Sequence, residues 1–233
     1  MKGEVSMITL EDIKNDKEFN YIIQQAQNYL QQRGYTEHGF RHVNYVSRYT
    51  AKILQELDFS KRKVEMGGIA GYLHDVGNMF NRKHHGISGA NIVYNELRRR
   101  GMPLEDICVI TTAIANHEEE IGQAVSPVSS ALILADKSDA HRTRVHKKNA
   151  DEIHTRVNLA IRDSTLKVRP EKKEIILQID YDSSISQVMD YFEIYLYRME
   201  MCKFAASHLG CRFRLFINDL ELLGHVDEEF DKN

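Results

Sequence analysis

Apolar residues recur at helical spacing through the first two thirds of the chain. Thr9 opens TLEDIKNDKEFNYIIQQAQNYLQQRG, with Asp12 three residues on and Gly34 as a C-terminal stop, which predicts one helix over that stretch. A second helix is predicted from about Gly39 to Leu57, where Val46, Tyr49, Ile53 and Leu57 follow at spacings of 3, 4 and 4. Ser60 can cap a third, running through Val64, Ile69 and Leu73 to the pair His74–Asp75. NMFNRKHHG reads as a loop, and SGANIVYNELRRR is helical again and ends at Gly101. Pro103 suits the start of the next helix, and Ser126–Pro127 joins a cap to a first-turn proline.

The period changes after about residue 163. TLKVR, a turn at PEKK and EIILQIDYD, with Ile175, Leu177 and Ile179 on one face, predict a β-hairpin. Ser184 then caps a long helix with Ile185, Val188, Met189, Phe192 and Leu196 on one stripe. After Gly210, Phe213, Leu215 and Ile217 alternate with Arg212, Arg214 and Phe216, predicting a third strand. The pattern therefore predicts a mainly α protein with a small C-terminal α+β (ββαβ) subdomain over 164–226, then a polar tail over 227–233. A hairpin plus one strand leaves unpaired edges, so a homodimer through this subdomain is expected.

Composition narrows the class. Of 233 residues, 42% are apolar and 28% charged, which fits a soluble globular protein and is too apolar for a disordered one. No stretch approaches the ~20 apolar residues of a membrane span. The segment MKGEVSMITLEDIKND lacks the apolar core of a secretory signal, so a cytoplasmic location without membrane association is expected. Lys plus Arg less Asp plus Glu is 31 − 34 = −3, which argues against bulk nucleic-acid binding. Cys108, Cys202 and Cys211 are too scattered for a disulfide framework or a thiolate metal site. Only three prolines suit long helices, whereas nine of the eleven histidines fall between 38 and 154.

Several of those histidines sit on apolar faces. His42 shares the side of its helix with Val46, Tyr49 and Ile53, and His117 continues the stripe of Ile107, Ile110 and Ile114. His74–Asp75 follows the apolar run GGIAGYL; adjacent helical residues diverge by about 100°, so both reach one centre only near a helix end, which Gly77 supplies. Asp136 closes ALILAD, four residues after Leu132 on the same face. Each has an ordinary explanation: a hydrogen-bonded core histidine, a helix terminus, an interhelical salt bridge. Together they would bury five polar groups on inward faces of four helices, which convergence on a metal explains economically.

The ordered pattern His42, His74–Asp75, His117, Asp136, with GYLHDVGN and ALILADKSDA, resembles the HD superfamily of metal-dependent phosphohydrolases over roughly residues 36 to 145. The resemblance implies an all-helical HD domain, here 1–163, with His42, His74, Asp75 and Asp136 as the ligands of one metal. His85, in HGISGA, is similar to the second-metal histidine of dinuclear members; with His117 it would complete a second site bridged by Asp75, the catalytic carboxylate. His84, its neighbour, and His38, in EHGFRH, are candidates to orient a ligand. The cyclic-dinucleotide members carry a lysine where this chain has Asn78, and their GYP motif is absent, so their substrate is not implied.

Histidine and carboxylate ligands suit Fe, Mn, Co, Ni or Zn without choosing among them. A water bridging two such ions becomes hydroxide near neutral pH, and the ions polarise a phosphoryl oxygen, so hydrolysis of a phosphomonoester, phosphodiester or phosphoanhydride is the expected reaction. The expected substrate is a nucleotide or another small phosphorylated molecule. In KSDAHRTRVHKKN, Lys137 and Arg142 are the phosphate-binding candidates, while Lys147 and Lys148 read as a solvated helix face; Arg41, Arg82 and Lys83 are lesser ones. Glu118 to Glu120 read as an exposed helix end, from which Glu118 could act as an acid. Two other functions fit the same residues: an HD-fold diiron oxygenase, and a nucleotide-sensing or interaction module that keeps its metal for structure.

Overall fold

The computed structural model describes residues 8–119, 121–145 and 152–224. Thr9 caps α1 (Leu10–Asn15) through a reciprocal pair of bonds with Asp12. The single helix predicted to Gly34 is in fact two. The backbone turns extended at Asp16, whose carboxylate accepts the N–H groups of Glu18 and Phe19 and starts α2 (Lys17–Gln32). Aspartate bonds more readily to free helix-start donors than it fits a helix interior, so the cap outcompetes continuation.

α3 (Phe40–Glu56) and α4 (Lys61–Leu73, capped by Ser60) pack closely. Every residue of α4 from Met66 to Leu73 is buried. A Cβ on Gly71 would lie 2.7 Å from the Ser47 Cα, so glycine is what lets these two backbones meet. A short 3₁₀ turn over Val76–Met79 leads to α5 (His85–Arg99), then α6 (Leu104–Ala115) and α7 (Pro127–Ser138). The predicted loop is thus shorter than NMFNRKHHG, because its first part is this turn and α5 begins at His85. Gly77 matters through close approach: a Cβ there would collide with the carbonyl of His85.

α8 (Ile153–Ala160) runs directly into β1 (Ile161–Arg169), which pairs antiparallel with β2 (Glu174–Tyr181). α9 (Val188–His208) crosses over to β3 (Arg212–Ile217), parallel to β2, with Ile175, Leu177 and Ile179 opposite Phe213, Leu215 and Ile217. A fourth strand, β4 (Leu220–Leu223), was not among the expectations; Asn218, at φ 54, makes the tight turn before it. The order after α8 is therefore ββαββ.

The start and the facing of α9 both differ from expectation. Gln187, not Ser184, caps it; the Ser184 hydroxyl donates to Asp182 instead. Its buried face carries Tyr191, Tyr195, Met199 and Cys202, whereas Ile185, Met189 and Leu196 are exposed. α9 is apolar on more than one side, so periodicity could not fix its rotation. One continuous buried cluster joins Phe19 and Ile53 of the bundle, Leu134 of α7, and Leu177 and Leu215 of the sheet. Among the described residues, no helix is long and apolar enough to cross a membrane. The predicted polar tail, Lys147 and Lys148 lie outside the described residues.

Candidate metal centre

Four imidazoles converge where α3, α4, α5 and the end of α6 meet. Each has its Nδ1 edge engaged by protein. His74 Nδ1 donates to the Gly71 carbonyl (2.9 Å), His85 Nδ1 to Arg82 O (2.8 Å) and His117 Nδ1 to Ile114 O (2.6 Å). His42 Nδ1 faces the Asp139 carboxylate at 2.6 Å. A carbonyl accepts only, so in the neutral ring these bonds place the proton on Nδ1 and the lone pair on Nε2. The Nε2 atoms then meet in pairs, His42 with His74 at 3.2 Å and His85 with His117 at 3.1 Å. Two facing lone pairs repel, and a cation between them is the natural resolution.

Asp75 lies between the pairs. Its Oδ2 is 3.4 Å from His74 Nε2 and 3.6 Å from His42 Nε2, while Oδ1 is 3.3 Å from His85 Nε2 and 3.7 Å from His117 Nε2. Asn78 donates to Oδ1 at 2.8 Å, so the residue that departs from the cyclic-dinucleotide pattern orients this carboxylate. Oδ2 is buried without a hydrogen-bond partner. A buried, unpartnered carboxylate oxygen facing imidazole lone pairs fits a divalent cation. Asp136 joins the first pair, with Oδ1 3.3 Å from His42 Nε2 and 3.6 Å from His74 Nε2. Donor atoms of His42, His74 and Asp136 lie within 4.8 Å of one another, as do those of His74, Asp75 and His117. The centre can therefore hold a metal.

The electrostatics agree with that assignment. Burial opposes ionisation of Asp75, but His74, His117 and His85 hold its carboxyl well below the usual range. Burial likewise opposes that of Asp136, and Lys137, His42 and His74 outweigh it. Burial pushes His117 down to about 4 against the pull of Asp75, so it is a neutral donor near pH 7. Burial and Arg144 work against a charge on His42, yet Asp136 and Asp139 raise it above the ordinary imidazole value. Asp75 and Glu118 raise His85 in the same way against burial.

Two supporting carboxylates escaped the sequence reading. Asp139 is held by Arg41 Nη2 at 2.9 and 2.7 Å and by Arg144 Nη1 at 3.4 Å. Arg41 is thereby committed to structure. Asp139 follows Asp136 by one helical turn, the only trace it left in the sequence. Glu118, expected to be exposed, is 5% exposed. It accepts the N–H groups of His84 (2.8 Å) and Gly86 (3.2 Å), anchoring the start of α5, and lies 3.4 Å from His85 Nδ1. Burial resists its ionisation, but His85 and these N–H groups lower it to about 2.

A cavity of about 400 Å³ opens over the centre. Asp75, Asp136, His85, Lys137 and His38 line it. His38 Nδ1 lies 2.6 Å from the Thr36 carbonyl and its ring meets that of His42 edge-on. His84 is exposed, at φ 60, and does not line the cavity; of the two adjacent histidines, His85 points inward. Arg142 is also outside its lining, whereas Arg82, Arg144 and Arg198 are in it. Tyr195 and Arg198 come from α9, so the C-terminal region forms part of the wall.

A buried His/Asp centre inside a helical bundle defines a helical domain able to hold a metal. The HD domain family profile matches residues 39–159, just over half of the chain, and the chain belongs to that family. It is also similar to the crystal structure of a predicted HD superfamily hydrolase from an uncultured Thermotogales bacterium. That likeness has a TM-score of 0.43 at 21% identity and covers 54% of this chain and 68% of the other. No curated protein matches the chain.

Proposed function

We propose that the chain is a metal-dependent phosphohydrolase with a dinuclear centre, acting on a nucleotide or another small phosphorylated molecule. One observation carries this reading: the two oxygens of Asp75 face two separate pairs of imidazole Nε2 atoms at 3.3–3.7 Å. His42, His74, Asp136 and Asp75 would hold one ion, and His85, His117 and Asp75 the other. Divalent ions held there would supply a water of lowered pKa and polarise a phosphoryl oxygen.

The chain's own residues set the conditions for that chemistry. The Nδ1 bonds keep each imidazole aimed with Nε2 toward the centre. Asn78 holds Asp75 so that one oxygen turns to each side. Lys137 Nζ, 2.7 Å from Asp136 Oδ2, brings a cation to the cavity floor beside the ligands. The cavity falls within the roughly 300–1,000 Å³ of small-molecule sites, which favours a compact substrate over a polymer.

The test is hydrolysis of a panel, read as phosphate release from phosphomonoesters and phosphoanhydrides and as alcohol release from phosphodiesters, with Fe, Mn, Co, Ni or Zn reloaded in turn. Metal-dependent release that Asp75→Asn abolishes is the expected result. A fully metallated wild type that hydrolyses none of the panel would overturn the reading.

A further inference from the structure

Arg198 stands beyond the family-matched segment, yet it lines the same cavity as Asp75 and Asp136. Its guanidinium packs over the Tyr195 ring, 4.5 Å from the centroid, and Tyr195 is fixed in turn by a 2.9 Å hydrogen bond from its hydroxyl to Asn158. Tyr195 is buried and α9 is packed on α7, so this arginine is held on a rigid element. Its Nε lies 2.6 Å from Glu119 Oε1. The same Glu119 oxygen lies 3.6 Å from Lys137 Nζ. A chain of alternating charge results, Asp136–Lys137–Glu119–Arg198, and it ends at the centre.

Count the charges along that chain with the ions bound. Asp136 is then committed to a metal, which leaves two cations, Lys137 and Arg198, against one carboxylate, Glu119. The surplus positive charge sits beside the reacting position, on side chains able to donate several hydrogen bonds to one group of oxygens. A terminal phosphate, doubly charged near neutral pH, matches such a pair better than the singly charged phosphate of a diester.

We propose that Arg198 and Lys137 form a terminal-phosphate subsite, with Glu119 as their counter-ion when substrate is absent, and that the substrate is therefore a phosphomonoester. This rests on the hydrolase reading and narrows it. It also transfers to Arg198 the role that the sequence suggested for Arg142.

The probes are inorganic phosphate and dimethyl phosphate, titrated calorimetrically into the metal-loaded full-length protein, with metal content measured on every variant. Wild type binds phosphate and prefers it to dimethyl phosphate by about tenfold or more. Arg198→Gln weakens phosphate binding by about 10- to 100-fold, as loss of a charged hydrogen-bonding partner does, with metal content unchanged. Arg198→Lys recovers part of the loss. Glu119→Gln tightens phosphate binding, an effect opposite in sign to simple damage. The subsite is overturned if Arg198→Gln binds phosphate as wild type does, if dimethyl phosphate binds equally well, or if wild type binds no phosphate. Phosphate binding that depends on Arg198, in a protein that hydrolyses nothing, would instead sink the hydrolase reading and leave the subsite standing.

Discussion

The two halves of the centre are built differently. Behind His42 the outer contact is charged, since Asp139 faces its Nδ1 and is itself gripped by Arg41 and Arg144, while His74 Nδ1 donates to the Gly71 carbonyl. Around His85 and His117 the outer contacts are mainly backbone carbonyls, with Glu118 serving α5 and His85 together. A carboxylate behind an imidazole makes it a more basic ligand than a carbonyl does. The first half thus leans on the charged support behind His42. The second depends on the position of α5, which Gly77 and Glu118 set. Asp75 is common to both, so perturbing it should not discriminate between them.

Loss of Asp75 is accordingly the largest expected effect. Asp75→Ala should remove both ions and bring hydrolysis to background while circular dichroism shows the helices retained; an active, fully metallated variant would dissolve the comparison. Next is Gly77→Ala, whose Cβ would drive into the His85 carbonyl. A destabilisation of about 3 kcal/mol is expected in a denaturant melt, with the ion at His85 lost in preference to the other. Unchanged stability would show that α5 can shift freely. Asp139→Asn should weaken one ion by about 10- to 100-fold in chelator competition and leave the other near wild type. Equal weakening of both would mean that the halves are not separable.

Acidity gives the smaller effects. Glu118 is lowered from 4.5 to about 2, so its contribution is present above pH 4.5 and disappears as pH falls toward 2. Glu118→Gln should cost about 1–2 kcal/mol near neutral pH, and the difference from wild type should vanish in acid melts. A pH-independent difference would assign Glu118 to packing alone. His42 and His85 are both raised, so protons compete for them already above the ordinary imidazole value. Metal affinity should therefore fall as pH drops through that range, with proton release on metal addition to weakly buffered protein. An affinity flat across neutrality would contradict those raised values.

What the sequence made legible follows the same division. His42 and His117 could be read because they continue apolar stripes, and a histidine interrupting a buried face is visible in one dimension. Asp75 and Asp136 could be read because a carboxylate ending an apolar run needs a reason. Asp139 and Glu118 act on those residues from polar stretches, where nothing in the pattern separates an orienting group from a solvated one, and Asn78 sits in a short turn with no period to place its side chain. Arg198 was hidden for another reason. α9 offers two apolar faces, and choosing the one through Met189 and Leu196 turns Tyr195 and Arg198 away from the centre. β4 is four residues long after a tight turn, too short to establish a period. The bundle's framework could thus be inferred from spacing and caps, but which side of α9 met it depended on packing partners far along the chain.

If Asp75 joins two ions, a metal count on the intact protein will show it. Metal analysis of the purified, reloaded protein should give two ions per chain for wild type and one for His85→Ala, with the fold intact in both. One ion per chain in wild type, unchanged by His85→Ala, would exclude a bridging role for Asp75 and leave His85 and His117 without a metal to hold.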